Sequence, residues 1–542
     1  MLQLLYFACD YEIREVVGMS IEVGTVKAGR GRWLALGALV LSGLVLGLDA
    51  TILVTALPTL SAKLGASTTE LQWISAAFTL ALAGLMLPAG VLADRLGRKR
   101  MMLVGVAAFG ISSIVASQMT SATGLIWMRA LMGASGAIIL PLMLAILPTI
   151  FTEAERPRAV AIAGAATFIG LPLGPIVAGW LLNHFAWGSV FLINAPVAMI
   201  ALIGVALFVP ESRGVNAPRL DWIGALLEVV GVTGLIYGII QQPQNGWTDP
   251  GVVIGVGGGA VLLGLFVAWE LTRREPLVNL RLFRNPRFSV ATAAFVVVGF
   301  TMTGLLFVLT PYLQLVQGND PQGTGIRLLP MIGAVIVTAL TSERLVARFG
   351  TRVILAAGFA VLAAGLLLMS RLDAGTGYGL IAAALVVIGV GIALAMIPAL
   401  GAILDALPEA EMGAGNGLTR TLQNVGASLG VAVMGTVLNN TYRGDLGPHL
   451  TGLPGAVRDA AEKSLAGATI AGHHLPAALA GPLVHAADAA YAGGMSEVLL
   501  VTVAMATVMA VVIALFMPAR KAPAEASPAL VEDAPVLAER MA

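Results

Sequence analysis

Long apolar stretches, each broken by a short polar turn, run almost end to end through this chain. They fall at 34–57, 71–90, 102–119, 124–148, 160–182, 188–209, 221–241, 251–271, 288–311, 325–341, 353–370, 376–400, 413–438 and 496–517. A helix of about 20 apolar residues crosses a bilayer core, with every backbone polar group satisfied inside the segment. The pattern therefore predicts an all-α integral membrane protein of about fourteen transmembrane helices. The expected organisation begins with a cytoplasmic leader, 1–33, and a first six-helix bundle, 34–212. An inserted hairpin with its flanking loops, 213–287, separates this from a second six-helix bundle, 288–517. That second bundle carries an extracytoplasmic loop, 439–495, and a disordered cytoplasmic tail follows at 518–542.

The polar turns carry the next layer of information. Gly90 to Arg100 reads G-V-L-A-D-R-L-G-R-K-R, a basic hairpin with Asp94 as its one acid. A degraded copy occurs later. L-G-R-K at 96–99 aligns with F-G-T-R at 349–352, which sets Arg95 on Arg348 and Gly97 on Gly350. Gly90 becomes Glu343 and Asp94 becomes Ala347, so the copies are not equivalent. The second copy follows the tenth span, whereas a simple six-plus-six duplication would place it after the eighth. The two extra spans, 221–271, are thus an insertion between repeated halves. Repeated halves with a site near the midplane between them are the construction of secondary transporters.

Composition closes off other classes. The chain is 58% hydrophobic and 11% charged, against about 25% charged in ordinary globular domains. The net charge of +1 decides nothing, but the placement of charge does. With the N-terminus inside, 23 of the 31 Lys and Arg residues fall in cytoplasmic segments and six outside, with Arg129 and Arg420 inside spans. The positive-inside rule then puts both termini in the cytoplasm. Residues 1–32 have no signal-peptide core, and the lone Cys9 precludes an intrachain disulfide. No lysine follows a glycine, so a G-x-x-x-x-G-K phosphate loop is absent; no histidine precedes a glutamate, so no H-E-x-x-H helix exists. His449, His473, His474 and His485 cluster in 439–495, where exposed polar residues on an alanine-rich helix are the plainer reading than a metal site. No enzyme activity, cofactor, metal or nucleic-acid partner is expected.

Several motifs resemble one family. Gly90–Arg100 matches the loop signature between spans two and three of the major facilitator superfamily. L-D-A-T-I-L-V-T-A-L-P at 48–58 resembles the first-span pattern of its fourteen-span drug:proton antiporters, the EmrB/QacA type. R-A-L-M-G-A-S-G at 129–136 is similar to that group's fourth-span arginine motif, and G-L-P-L-G-P-I-V-A-G at 170–179 to its fifth-span antiporter motif. W-G-S-V-F-L-I-N-A-P at 187–196 and P-Y-L-Q-L-V-Q-G at 311–318 resemble its sixth-span entry and ninth-span exit. The resemblance covers about 33 to 440. It implies the major facilitator fold, two six-helix bundles plus the hairpin, and export driven by the proton gradient. Two positions depart from the pattern: Val54 replaces an asparagine and Met132 a glutamine, each removing a polar group from the expected cavity.

Asp49 in span one and Arg129 in span four are ionisable groups deep in lipid, costly unless paired or turned to the interior. Asp49 is expected to carry the proton and Arg129 to tune it; the plainer alternative is a static ion pair. Gly90, Asp94, Arg95, Gly97, Arg98 and Lys99 are expected to gate the conformational cycle, with Asp94 accepting from a helix terminus or pairing with an arginine. In span five Gly170, Gly174 and Gly179 permit close helix approach, while Pro172 and Pro175 favour a bend. Candidate cavity residues are Gln72, Trp73, Phe78, Asn194, Tyr312, Gln314, Gln317 and the i, i+3, i+4 stripe Arg420, Gln423, Asn424. Glu228 in span seven is expected to act locally within the hairpin. The expected protein is a plasma-membrane proton antiporter that exports small amphipathic or cationic toxic molecules, any envelope adaptor being unidentified. A dedicated exporter of one metabolite on the same fold is the alternative, and a non-transporting membrane sensor a remote one.

Overall fold

The computed structural model describes residues 31–152, 155–213, 221–273, 280–407 and 412–518, and among them no strand occurs. The leader 1–30 and the tail from 519 onward lie outside the described residues. The first bundle comprises α1 (Gly31–Leu64), α2 (Thr68–Leu96), α3 (Arg98–Ala116), α4 (Ala122–Ile150), α5 (Arg156–His184) and α6 (Ser189–Phe208). The hairpin is α7 (Trp222–Asn245) and α8 (Pro250–Thr272). The second bundle follows with α9 (Pro286–Val316), α10 (Pro321–Phe349), α11 (Thr351–Met369), α12 (Tyr378–Ala406) and α13 (Met412–Leu446). Two short helices, α14 (Gly455–Lys463) and α15 (Leu465–His473), lead to the 40-residue α16 (Ala477–Phe516). Thirteen described helices are long and apolar enough to cross a membrane. The 29-residue α5 stands where the fifth span is expected. The chain is a multi-pass membrane protein.

Local chemistry explains the element boundaries. Ser67 caps α2 in a capping box: its hydroxyl accepts from Glu70 N–H at 3.3 Å, and Glu70 accepts from Ser67 N–H at 2.9 Å. Gly97 and Gly350 end α2 and α10 at φ 115° and 84°, a conformation that penalises any Cβ. The internal repeat is therefore structural, and it extends well beyond the basic turns. A 29-residue helix, a 19-residue helix and a 29-residue helix follow one another in both copies, as α2, α3, α4 and as α10, α11, α12. Pro58 corresponds to Pro311 at the same 253-residue offset that relates Gly97 to Gly350. Beyond a longer connection in the second copy the offset becomes 256. It then relates Gly133 to Gly389, each abutting a backbone carbonyl, of Phe78 and of Met331.

The outer segment 439–495 is mostly helix: residues 439–446 continue α13, and 477–495 form the first half of α16. Its alanines favour helix without supplying a lipid-crossing level of hydropathy, and hydropathy alone marks only the latter.

The two bundles meet along equivalent seams, α2 against α13 and α5 against α10. Glycines allow both. Gly435 of α13 abuts Gln72 of α2, and Gly179 of α5 abuts Gln322 of α10. The end of the molecule bearing the Gly97 and Gly350 turns is termed the basic face, and the end bearing α14 and α15 the loop face. The hairpin packs outside the α2–α13 seam, with Val232, Ile236 and Ile240 set against Ala76, Leu80 and Ala432.

Candidate functional site

Asp49 lies in the middle of α1, 1% exposed, and Arg129 in the second turn of α4, also 1% exposed. The two form an ion pair, Arg129 Nη1 with Asp49 Oδ2. Each partner is held from a second side. Asn194, at the start of α6, donates Nδ2 to Asp49 Oδ1 at 3.0 Å and to Ser113 Oγ at 3.3 Å. Arg129 Nε donates to the Ile74 carbonyl at 3.3 Å, and its guanidinium lies 4.5 Å from the centre of the Phe78 ring. Four helices of the first bundle and a serine of α3 thus converge on one carboxylate. Gly133 makes this possible, since any Cβ there would collide with the Phe78 carbonyl and push α4 away from α2.

Burying two charges costs several kcal/mol of hydration, repaid only when geometry is good and remaining polar atoms are satisfied. Here both carboxylate oxygens and two guanidinium nitrogens have partners. A proton arriving at Asp49 competes with Arg129 and Asn194 for the same two oxygens. By the 253-residue offset, Asp49 corresponds to Met302, so this acid belongs to the first bundle alone.

Sequence reasoning named Asp49 and Arg129 as the coupling pair and Asn194 and Phe78 as cavity candidates; the structure seats Asn194 and Phe78 on the ion pair. It missed Ser113, a lone hydroxyl in an apolar helix with no sequence signal. Met132, where the family pattern has glutamine, is buried with Sδ 3.9 Å from Ser113 Oγ.

At the basic face Asp94 Oδ1 pairs with Arg98 Nε at 2.7 Å, and Arg98 Nη1 donates to the Ala145 carbonyl of α4 at 2.9 Å. Arg98 N–H donates to Ser212 O at 2.8 Å, and Lys99 N–H to Glu211 Oε1 at 3.1 Å. Glu211, in an unpatterned loop, was invisible to sequence reasoning. Gly97 sits against it, a Cβ there falling 2.7 Å from Glu211 Oε1, while Gly90 borders open space and Arg95 is exposed. In α5, Gly174 lies on Thr51 and Ile52 of α1, and the Pro175 carbonyl lies against Gly325 of α10. The surroundings of Gly170 and Pro172 lie outside the described residues.

The remaining cavity candidates divide. Gln72 is fully buried and donates Nε2 to Ala432 O at 3.0 Å, and Gln314 Nε2 donates to Thr55 O at 2.8 Å; both fasten one bundle to the other. Trp73 turns toward the hairpin, its ring 6.2 Å from Tyr237. Tyr312 is buried within its own bundle, donating to Asp373 O at 2.5 Å, with Gln317 donating to it at 3.2 Å. Arg420 Nη1 donates to Gln423 Oε1 at 3.3 Å; Gln423 packs on Gly299, and Asn424 is half-buried. Glu228 is 7% exposed and lies near Glu270 of α8.

Among the described residues, the hydrogen bonds joining the bundles all lie in the loop-face half. They include Ser61 to Ser464 at 3.1 Å, Thr79 with Ser428 at 2.5 Å and Asn183 to Asp320 at 2.6 Å. A small pocket there, between Leu57, Phe307 and Leu438, has a volume of about 30 Å³, too small for an organic cargo. The bundles are sealed at the loop face, and in the basic-face half Gly417 of α13 lies against Leu87 of α2.

The sequence profile of the Major Facilitator Superfamily matches residues 39–431. The tetracenomycin C resistance and export protein of Streptomyces glaucescens is 34% identical over 89% of this chain and 91% of its own length. The multidrug efflux pump LfrA of Mycolicibacterium smegmatis is 30% identical over 90% and 97%. The methyl viologen resistance protein SmvA of Salmonella typhimurium is 32% identical over 76% and 83%. A bacterial homolog of the human lysosomal transporter Spinster, in an inward-facing and occupied conformation, superposes with a TM-score of 0.65 at 15% identity, over 92% of this chain and all of that one. At that identity the likeness speaks for the fold. With a profile match over most of its length and relatives of this similarity along nearly all of it, the chain belongs to the Major Facilitator Superfamily.

Proposed function

We propose that this protein is a proton-coupled efflux antiporter of the plasma membrane, of the fourteen-span drug:proton type, with its basic face and both termini in the cytoplasm. The observation that carries the reading is Asp49. It is a carboxylate buried at the junction of α1, α4 and α6, within the bundle whose seams with the other bundle must open and close. With the loop-face seal shut, small amphipathic molecules enter from the cytoplasmic side. Protonation of Asp49 removes the charge that holds Arg129 and Asn194, which loosens the junction of α1, α4 and α6 as the bundles rock. The Asp94–Arg98 pair belongs to the state open at the basic face, and its exchange of partners accompanies closure. The proton gradient supplies the energy, the potential contributing about 2.3 kcal/mol per charge per 100 mV.

The orientation rests on the bias of Lys and Arg toward the basic face. The direction of transport rests on the resistance and export names of the relatives. Those names include single compounds as well as multidrug pumps, which favours a second reading, a dedicated exporter on the same machinery. Dye efflux into inverted vesicles, with and without a protonophore, tests the antiport. A panel of resistance tests in a pump-deleted host separates broad from narrow range.

A further inference from the structure

The central face of α13 carries a charge that nothing in the protein's described part neutralises. Each side of α13 can be assigned from its contacts. Val425 and Leu429 pack against the hairpin. Gly426 and Gly430 abut Val296 and Phe300 of α9, while Ser428 and Gly435 meet Thr79 and Gln72 of α2. At about 3.6 residues per turn, Arg420 and Asn424 fall on the one remaining side, opposite the hairpin and toward the interior between the bundles. Arg420 is half-buried there. Its partners are Gln423 at 3.3 Å and the Phe295 ring, 5.5 Å from the guanidinium carbon. No carboxylate among the described residues lies within ion-pair distance of it.

Acids of the spanning helices are committed or placed elsewhere: Asp94 pairs with Arg98, Asp405 with Arg287, Glu497 accepts from Thr441, and Asp445 and Asp488 lie in the outer segment 439–495. Asp49 gives one oxygen to Arg129 and the other to Asn194. Glu228 and Glu270 sit on the hairpin side of α13, and Glu343 is exposed near the basic-face end of α10. Under the 256-residue offset that relates Gly174 to Gly430, Arg420 stands where the first copy has Gly164, so the charge is a one-sided addition to the repeat.

A guanidinium cannot shed its proton in a protein. Half-buried beside Gln423 and the Phe295 ring, it is already partly stripped of water, and an unpaired charge in a dry interior is strongly disfavoured. Only an occupant with negative charge relieves it. The planar fork matches a carboxylate, sulfonate or phosphate with two parallel hydrogen bonds, and the Phe295 ring beside it offers an apolar face to an aromatic body.

We propose that Arg420 is a cargo-binding residue, and that the exported molecules are small aromatic organic anions. This rests on the efflux reading above and replaces its cationic expectation, since the free charge turned toward that interior is positive. It also makes the cycle electrogenic beyond proton entry alone, because an anion leaving and a proton entering move charge the same way.

The test uses purified full-length protein and two dyes with one ring system and opposite charge, fluorescein and a cationic rhodamine ester. Binding is read by fluorescence anisotropy at pH 8. The wild type is expected to hold fluorescein more tightly than the rhodamine. Arg420→Gln should weaken fluorescein about ten-fold or more, the scale of one lost charge-assisted hydrogen bond, and change the rhodamine less than about two-fold. Arg420→Lys, which keeps the charge, should recover part of the loss and guards against a folding artefact. A wild type that prefers the rhodamine, or an Arg420→Gln variant that holds fluorescein as well as the wild type, overturns the assignment. The same proteins in vesicles separate this failure from that of the efflux reading. Rhodamine export driven by the pH difference and indifferent to Arg420 sinks the anion proposal alone, whereas dye movement that ignores the pH difference sinks the antiport.

Discussion

Arg129→Met probes the buried ion pair where the energetics are largest. The substitution removes the salt bridge to Asp49, the hydrogen bond to the Ile74 carbonyl and the contact with the Phe78 ring. It leaves Asp49, 1% exposed, with Asn194 as its one remaining hydrogen-bond partner. Breaking a buried pair by deleting one member costs about 3–5 kcal/mol, because the survivor is a desolvated charge. Asp49→Asn in the same background deletes that charge too. The double variant should therefore recover much of the loss, with a coupling energy of about 2 kcal/mol or more, toward the upper end for residues in contact. The assay is denaturant unfolding of the four proteins in detergent micelles, followed by tryptophan fluorescence. A loss below about 1 kcal/mol for Arg129→Met, the scale of an exposed pair, would refute the reasoning. So would a double variant as unstable as the sum of its singles.

Three further outcomes follow from the same geometry. Gly133→Ala and its repeat partner Gly389→Ala drive a methyl into the Phe78 and Met331 carbonyls, and each should cost about 1–3 kcal/mol in the same unfolding assay. Asp94→Asn breaks the bridge to Arg98 at a partly exposed site; transport should fall while membrane insertion, read by protease protection, is unchanged. The Asn183 hydrogen bond, helped by the Gly323 N–H and the Arg327 charge and opposed by slight burial, holds the Asp320 carboxyl below its ordinary range. A depressed carboxyl stabilises the folded, sealed state above its unfolded value of about 3.9 and loses that contribution as pH falls through the lower, folded value. The loop-face seal, monitored by the distance between spin labels on α5 and α10, should thus be insensitive to pH from 5 to 8, a range chosen as roughly one unit or more above that value. It should loosen only under strong acid, and Asn183→Leu, which removes the main cause of the depression, should weaken the seal at neutral pH and shrink that acid step.

Much of the fold was legible because bilayer-crossing helices announce themselves by length and hydropathy, and because Gly97 and Gly350 mark one register in both copies. The start of α16 was not legible for the complementary reason. Alanines from 477 onward build helix without enough hydropathy to mark a span, so α16 begins 19 residues before its apolar run. In the site, Asp49 and Arg129 stood out as charges in lipid, and the family resemblance gave them roles. What could not be read was tertiary. Nothing in the sequence says that Asn194 turns to Asp49, that Gln72 and Gln314 fasten the bundles, or that Glu211 anchors the Gly97 turn. Arg420 was visible as a polar stripe, yet its lack of a counter-charge required knowing which side of α13 faces each neighbour.

The most direct test of the account is proton release from reconstituted vesicles. Purified protein is sealed into liposomes with an acidic lumen and a trapped pH dye, and fluorescein or the rhodamine ester is added outside. The wild type should accumulate dye while the lumen turns alkaline, both abolished by a protonophore; Asp49→Asn should do neither, while still folding and binding dye. Dye accumulation by Asp49→Asn at the wild-type rate and with the same proton loss would contradict the claim that this carboxylate carries the proton.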